Sequence, residues 1–166
     1  MTPEPTIWYR IIDSPIGHLL LAGDGHALRR LAFVRDDEPR PDTGWRSDDR
    51  GALADVCREL DAYFAGRLNR FRTPVAPEGT AFQRRVWAAL CDIPYGRTMS
   101  YGELARQIGA EKAVRAVGAA NGANPIAIIV PCHRVIGANG SLTGFGGGLP
   151  VKRALLDLEQ GKRRLL

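Results

Sequence analysis

Short apolar runs separated by turn residues occupy the first third of the chain. The runs cover residues 6–12, 19–22 and 28–34 and are rich in Ile, Leu, Val, Trp and Tyr. Residues 14–17 (Ser-Pro-Ile-Gly) and 23–25 (Gly-Asp-Gly) supply turn chemistry between them. This pattern predicts three strands in an antiparallel meander, followed by a polar surface loop over residues 35–50.

A helical spacing of apolar residues replaces the strand pattern after residue 50. Residues 52–64 carry apolar side chains at i, i+3, i+4 and i+7 and predict one helix, which Gly66 ends. Cys57 lies on this apolar stripe, so we interpret it as a small core residue rather than a reactive thiol. Residues 72–79 contain two prolines and a glycine and are predicted to link two halves.

Two capping boxes mark helix starts in the second half. Thr80 with Gln83, and Ser100 with Glu103, each have the N-cap and N3 residue types of this motif. A third helix is predicted from Ala113 to about Gly122, after a tight turn. The last two helices form a candidate helix-turn-helix, a pattern that occurs in DNA-binding domains and in plain helical bundles.

The third helix of this half is almost free of large side chains. Residues 113–120 read Ala-Val-Arg-Ala-Val-Gly-Ala-Ala. So slim a helix either packs tightly in the core or enters a groove of a partner. Arg115 is its one long charged side chain, and it is either a solvated surface residue or an arm that reaches nucleic acid.

Charge and cysteine usage narrow the function classes. Net charge is −2 over residues 1–79 and +7 over residues 80–166, so only the second half has the electrostatic footprint of a polyanion binder. The alternative interpretation is that this positive charge serves only to keep the protein soluble. Three cysteines without CxxC spacing argue against a disulfide framework or a Cys-rich zinc site. With no signal peptide and no apolar span of about 20 residues, we expect a cytoplasmic protein.

A cysteine and a histidine stand side by side after a buried, strand-like apolar run, residues 126–130. A thiolate is the nucleophilic form of cysteine, so Cys132 is a candidate nucleophile, with His133 as its base and Arg134 adding positive charge. Cys91, near a helix end, is interpreted as partly buried filler. Glu159 lies among leucines of the last predicted helix, where it either faces solvent or orients a buried histidine.

The sequence over residues 129–136, Ile-Val-Pro-Cys-His-Arg-Val-Ile, resembles the active-site signature of the O6-alkylguanine-DNA alkyltransferases, the methylated-DNA–protein-cysteine methyltransferase family. The resemblance covers most of the chain and is strongest over residues 80–160. Supporting motifs lie at residues 93–96, 100–102, 113–118, 124–125 and 155–159.

This resemblance implies an α/β (α+β) fold with two domains. A small N-terminal antiparallel-sheet domain would span residues 1–76, and a helical domain with the helix-turn-helix and the alkyl acceptor would span residues 77–166. The family transfers the alkyl group of O6-alkylguanine, and of O4-alkylthymine, in double-stranded DNA to its own cysteine, once and irreversibly, after flipping the base out. The resemblance implies no cofactor, no metal, no membrane partner, and a monomer that can bind DNA cooperatively and is nucleoid-associated when bound.

The resemblance also implies roles for individual residues. Cys132 would be the nucleophile and final acceptor, His133 the base acting through a water, and Glu159 the group that orients His133. Asn124 would brace the cysteine loop, and Tyr101 would donate to the departing guanine. The slim helix would lie in the minor groove, and Arg115 would fill the gap left by the flipped base. The residues that contact DNA would be Arg115, Tyr101, Ala116, Gly118, Gln83 and Arg134. The pocket would be lined by Tyr101, Val130, Pro131, Phe145, Gly146 and Gly147.

Three other functions fit part of the pattern. A non-catalytic lesion binder of similar fold would lack the cysteine, which is present here. A thiol hydrolase would need more than an adjacent Cys-His pair, and a transcriptional regulator would need more hydrogen-bonding side chains on its recognition helix. Phe145 and Gly146 stand where some relatives have tyrosine and serine, which leaves the preferred alkyl size open.

Overall fold

The N-terminal half contains a four-stranded sheet with one helix packed on it. The computed structural model describes residues 3–162 of the 166-residue chain. The predicted meander is confirmed as β1 (Trp8–Ile12), β2 (Leu19–Gly23) and β3 (Leu28–Phe33). The loop prediction for residues 35–50 is wrong at β4 (Arg46–Ser47), which pairs in parallel with the free edge of β1 and gives the strand order β3-β2-β1-β4.

Helix α1 (Ala54–Phe64) closes this half, as the apolar spacing predicts. Its buried side chains are Val56, Leu60, Tyr63 and Phe64, which share one face of the helix. Gly66 ends the helix at a φ of 76°, a left-handed conformation that glycine adopts without strain. The end of α1 is therefore fixed, and with it the position of Tyr63.

The C-terminal half consists of four helices and a two-stranded parallel ribbon. The helices are α2 (Ala81–Leu90), α3 (Tyr101–Gln107), α4 (Val114–Gly122) and α5 (Leu149–Glu159), and the ribbon pairs β5 (Met99–Ser100) with β6 (Val135–Ile136). Both predicted capping boxes are formed. The small residues of α4 let it pack closely on α2, where Trp87 Nε1 donates to the carbonyl of Ala120 over 2.8 Å. No helix in the described part of the chain is long and apolar enough to cross a membrane.

The two halves share one hydrophobic core, joined where β3 meets the apolar run 126–130. The prediction of a strand there is wrong beyond Ile126, which alone bridges to Leu31. The run instead turns back on itself: Val130 N donates to Ile126 O, Ile128 has a φ of 72°, and Cys132 N donates to Val130 O. These tight turns bury the run and carry Cys132 into the interior.

Candidate active site

The candidate nucleophile and its neighbours lie in one short, buried 3-10 turn, Cys132–Arg134. Cys132 and Arg134 are each 7% exposed, and His133 is not exposed at all. Within residues 3–162, Cys132 forms no direct hydrogen bond with His133. If His133 is the base that deprotonates the thiol, it must therefore do so through an intervening group.

Glu159, at the end of α5, holds both other side chains of this turn. Its Oε2 lies 2.7 Å from His133 Nε2, and its Oε1 accepts from Arg134 Nε over 2.7 Å. Arg134 also donates from Nη2 to Glu159 and from Nη1 to the carbonyl of Ile93. The sequence thus correctly places Glu159 beside a buried histidine.

Arg134 is not a DNA contact, and that prediction is wrong. Its guanidinium is buried and directs three nitrogen atoms to Glu159 and the Ile93 carbonyl. A buried cation of this kind needs a fixed counter-charge, and the Glu159 carboxylate supplies it. Arg134 therefore holds Glu159 in place inside the protein, and its guanidinium is not exposed to contact a duplex.

The charge state of the pair follows from these contacts. Burial alone would raise the pKa of Glu159, but hydrogen bonds and charge from His133 and Arg134 outweigh it and lower that pKa to about 2. Burial lowers the pKa of His133 below 6.5, although Glu159 partly offsets the effect. At neutral pH a neutral imidazole therefore donates its Nε2 proton to the Glu159 carboxylate. Its Nδ1 is then an acceptor, and it is buried without a partner in the described residues.

Cys132 is a thiol at rest rather than a thiolate. Burial raises its pKa above the usual 9.0, while a hydrogen bond from Asn124 and the charge of Lys152 act in the opposite direction. The thiol must therefore lose its proton during attack. His133 Nδ1, a buried acceptor without a partner in the described residues, is a candidate for that base.

The loop around Cys132 is braced by Asn124, as the resemblance implies. Asn124 Nδ2 donates to the carbonyl of Val130 over 2.7 Å, and its Oδ1 accepts from Ile126 N over 3.0 Å. One amide side chain thus ties both ends of the turns that deliver Cys132. Asn121, which no sequence motif singles out, is also buried and donates to the Cys132 carbonyl over 3.4 Å.

Lys152 is a second residue that sequence reasoning missed. A lysine on an amphipathic helix usually faces solvent, but the Lys152 side chain is fully buried. Its Nζ donates to the carbonyl of Val135 over 2.6 Å and to that of Thr143 over 3.0 Å. It therefore fastens both ends of the loop that leads from the 3-10 turn to the glycine-rich segment.

A cavity of about 230 Å³ opens beside Cys132, between β3 and the glycine-rich loop. Phe145 and Gly146 line it as predicted, together with Cys132 and Asn124. The other predicted lining residues do not border this cavity. Val130 and Pro131 are buried, and Tyr101 lies outside the cavity. Gly147 packs against Phe33, and its carbonyl accepts a hydrogen bond from Arg35. Of the residues predicted to line the substrate pocket, this cavity therefore includes the loop residues Phe145 and Gly146.

The remaining candidates for DNA contact lie on or beside α3 and α4. Arg115 and Ala116 are exposed on α4. A Cβ at Gly118 would lie 3.8 Å from the ring of Tyr101, whose hydroxyl accepts from Thr143 Oγ1 over 3.0 Å. Gln83 is partly exposed, with its Oε1 engaged by Thr80 N in the capping box.

No metal site competes with this arrangement. Among residues 3–162, no three His, Cys, Asp or Glu side chains are placed to hold a metal ion together. The three cysteines are free, with Cys132 buried, Cys57 partly buried and Cys91 exposed. The burial of Cys57 agrees with its predicted place on the α1 stripe, whereas Cys91 is more exposed than predicted.

Comparisons with known proteins agree with this geometry. Family models described as the DNA binding domain and the ribonuclease-like domain of 6-O-methylguanine DNA methyltransferase match residues 81–161 and 7–77. The methylated-DNA–protein-cysteine methyltransferases of Mycobacterium bovis and Methanosarcina mazei are 57% and 51% identical, over 94% and 93% of this chain and 94% and 98% of theirs. The crystal structure of Mycobacterium tuberculosis OGT in complex with DNA matches with a TM-score of 0.87 at 57% identity, over 93% of this chain and 94% of that one. The chain therefore belongs to the methylated-DNA–protein-cysteine methyltransferase family.

Proposed function

We propose that this protein repairs DNA by transferring the alkyl group of O6-alkylguanine in a duplex to Cys132, once per molecule. The observation that carries the proposal is the buried Glu159–His133 pair, which leaves an acceptor without a partner in residues 3–162 at His133 Nδ1, on the residue that follows Cys132 at the cavity. Membership of the methylated-DNA–protein-cysteine methyltransferase family supports it.

The proposed chemistry is one displacement at carbon. His133 Nδ1 takes the thiol proton through a water as Cys132 Sγ attacks the alkyl carbon, forming the C–S bond and breaking the C–O6 bond. The electron pair of the broken bond leaves with guanine, which receives a hydrogen bond or proton from Tyr101. The product is a thioether, and no group in the site is placed to reverse it. The transfer is therefore stoichiometric and needs no cofactor.

Binding of the duplex is assigned to the α3–α4 face. The exposed surface of α4 has only one long side chain, Arg115, so the helix can approach the floor of a minor groove closely. Flipping a base out of the stack costs a few kcal/mol, and Arg115 inserted in the vacated space offsets part of it. The ring of Tyr101 lies against Gly118, on the next turn of α4 after Arg115, where we propose that the rotated nucleotide passes.

Arg115→Ala is expected to weaken repair of duplex DNA by about tenfold to a hundredfold, because base unstacking loses its compensating insertion. Reaction with a free O6-benzylguanine base should stay within about twofold of wild type, since no stack is opened. The measurement compares second-order transfer rates on both substrates. Arg70→Ala is the control of equal charge, because Arg70 is exposed in the loop after α1 and lies outside the α3–α4 face. Equal losses on duplex and free base would exclude the base-flipping role.

Mass spectrometry tests the transfer itself. After incubation with a duplex containing O6-methylguanine, Cys132 is expected to gain about 14 Da, the increment for replacing a thiol hydrogen with a methyl group. Cys57 and Cys91 should remain unmodified, and labelling should stop at one methyl group per molecule. An unmodified Cys132, or a signal on another cysteine, would contradict the proposal.

Several finer points belong to the same proposal. We propose a boundary between domains at residues 1–76 and 77–166, supported by the proline-containing link over residues 72–79. O4-alkylthymine is a second substrate, since it presents the same alkyl–oxygen bond to the thiol. The protein acts as a monomer in the cytoplasm, associated with the nucleoid while bound, and three free cysteines suit that reducing compartment.

A further inference from the structure

A tyrosine from the N-terminal half reaches the catalytic carboxylate. Tyr63, in the last turn of α1, donates its hydroxyl proton to Glu159 Oε2 over 2.6 Å. Both side chains are buried, and the two residues are 96 positions apart in the sequence. In the described residues, the other side chains that bind this carboxylate, His133 and Arg134, both come from the 3-10 turn of the C-terminal half.

Aromatic side chains surround the ring of Tyr63 and fix the direction of its hydroxyl. Its ring packs against Phe64 and Phe71, each at a centroid distance of 5.4 Å, and edge-on against Tyr95 at 6.3 Å. Gly66 fixes the end of α1 just beyond it. The aromatic cluster thus aims a single donor from the N-terminal half at Glu159.

We propose that Tyr63 is a positioning residue for alkyl transfer, through which the N-terminal half tunes the Cys132–His133–Glu159 relay. The inference rests on the proposed function of Cys132 as alkyl acceptor. Glu159 Oε2 accepts from three donors, namely Tyr63, His133 and Arg134. Each donor stabilises the charged carboxylate and weakens its hold on the Nε2 proton of His133. The tyrosine thereby helps to keep His133 neutral, which is the state in which Nδ1 can accept the thiol proton.

Tyr63 acts as a permanent donor and not as a proton carrier. Burial and the Glu159 charge raise the pKa of its hydroxyl well above 10, so the proton stays on the tyrosine. The charged and titratable groups that act on this pair come from three other elements: His133 and Arg134 from the 3-10 turn, Tyr95 from the turn after α2, and Lys152 from α5, whose charge acts on His133. Tyr63 is the one contributed by α1.

The test is Tyr63→Phe, which removes one oxygen and keeps the ring in its cluster. Tyr95→Phe is the matched control, because it makes the same change in the same cluster at a hydroxyl with no hydrogen bond in residues 3–162. Transfer rates to Cys132 are measured against pH with an O6-methylguanine duplex and with free O6-benzylguanine. For Tyr63→Phe we expect a rate loss of about threefold to tenfold on both substrates. The acid limb should move to higher pH by about half a unit to one unit, because His133 becomes more basic.

Four further results distinguish a positioning role of Tyr63 from a merely structural one and from failure of the proposed function. An NMR titration of the His133 imidazole should show the same upward shift without requiring activity, and Tyr63→Phe should shift nothing further in a Glu159→Gln background. A Tyr63→Phe profile that superimposes on that of Tyr95→Phe, with only a lower unfolding temperature, would overturn the inference. Wild-type protein that leaves Cys132 unalkylated would instead overturn the proposed function.

Discussion

Cys132→Ala is expected to abolish alkyl transfer completely, while affinity for an alkylated duplex stays within about twofold of wild type. The chemistry needs a sulfur atom, and among the three cysteines only Cys132 lines the cavity beside the relay. The proposed binding face uses Arg115, Tyr101 and the slim surface of α4, none of which depends on the thiol. The measurement pairs a transfer assay with a fluorescence anisotropy titration on the same oligonucleotide.

The matched control for this variant is Cys91→Ala. Cys91 is exposed at the C-terminal end of α2, so it is the more accessible thiol to a non-specific alkylating agent. We expect the control to retain full transfer and full affinity. Residual transfer by Cys132→Ala, or a loss of transfer in Cys91→Ala, would contradict the assignment of Cys132 as acceptor.

Selectivity of this thiol follows from its resting state. Because burial raises the pKa of Cys132, the free protein presents a poorly nucleophilic thiol to alkylating agents that do not fill the cavity. The proposed proton removal by His133 is useful only when an alkyl carbon is already in contact with the sulfur. A protein that can react once benefits from such a restriction, since each unproductive alkylation removes a molecule permanently.

The sequence predicted the features that local patterns encode. Capping boxes at Thr80 and Ser100, the antiparallel meander and the apolar stripe of α1 are short-range signals, and the structure confirms all of them. The sequence allows two interpretations of Glu159, a carboxylate that faces solvent or one that orients a buried histidine. The histidine next to Cys132 and the family signature favour the second interpretation.

Features that depend on long-range contacts could not be predicted from the sequence. Arg134 is predicted as a DNA contact from the family resemblance, and nothing local shows that it pairs with Glu159, 25 residues away. The sequence analysis does not select Lys152, since nothing local shows that two carbonyls will accept hydrogen bonds from its ammonium group. The sequence pattern identifies Tyr63 only as one of several apolar residues on a helix face. A hydrogen bond from its hydroxyl to the other half of the protein does not change the helical spacing of apolar residues, so the pattern cannot reveal it. Turns such as the one at Ile128 are equally hidden in an apolar run.

Glu159→Gln is expected to reduce alkyl transfer by about a hundredfold to ten-thousandfold and to destabilise the protein by about 3–5 kcal/mol at pH 7. The amide carries no charge, so buried Arg134 loses its counter-ion and His133 loses the group that fixes its tautomer. The matched control is Asp157→Asn, which makes the same carboxylate-to-amide change on α5 at a side chain that forms no hydrogen bond in the described residues.

The pH dependence distinguishes loss of this carboxylate from general damage. Glu159 has a pKa of about 2 in the folded protein against 4.5 as its ordinary value, so its stabilisation is complete above pH 4.5 and is lost as pH falls towards 2. The difference in unfolding free energy between wild type and Glu159→Gln should therefore be largest at pH 5–7 and shrink steadily between about pH 4.5 and 2. Urea unfolding at a series of pH values measures it. A difference that stays constant down to pH 2 would mean that the variant perturbs packing rather than removing a buried charge, and Asp157→Asn should show little difference from wild type at any of these pH values.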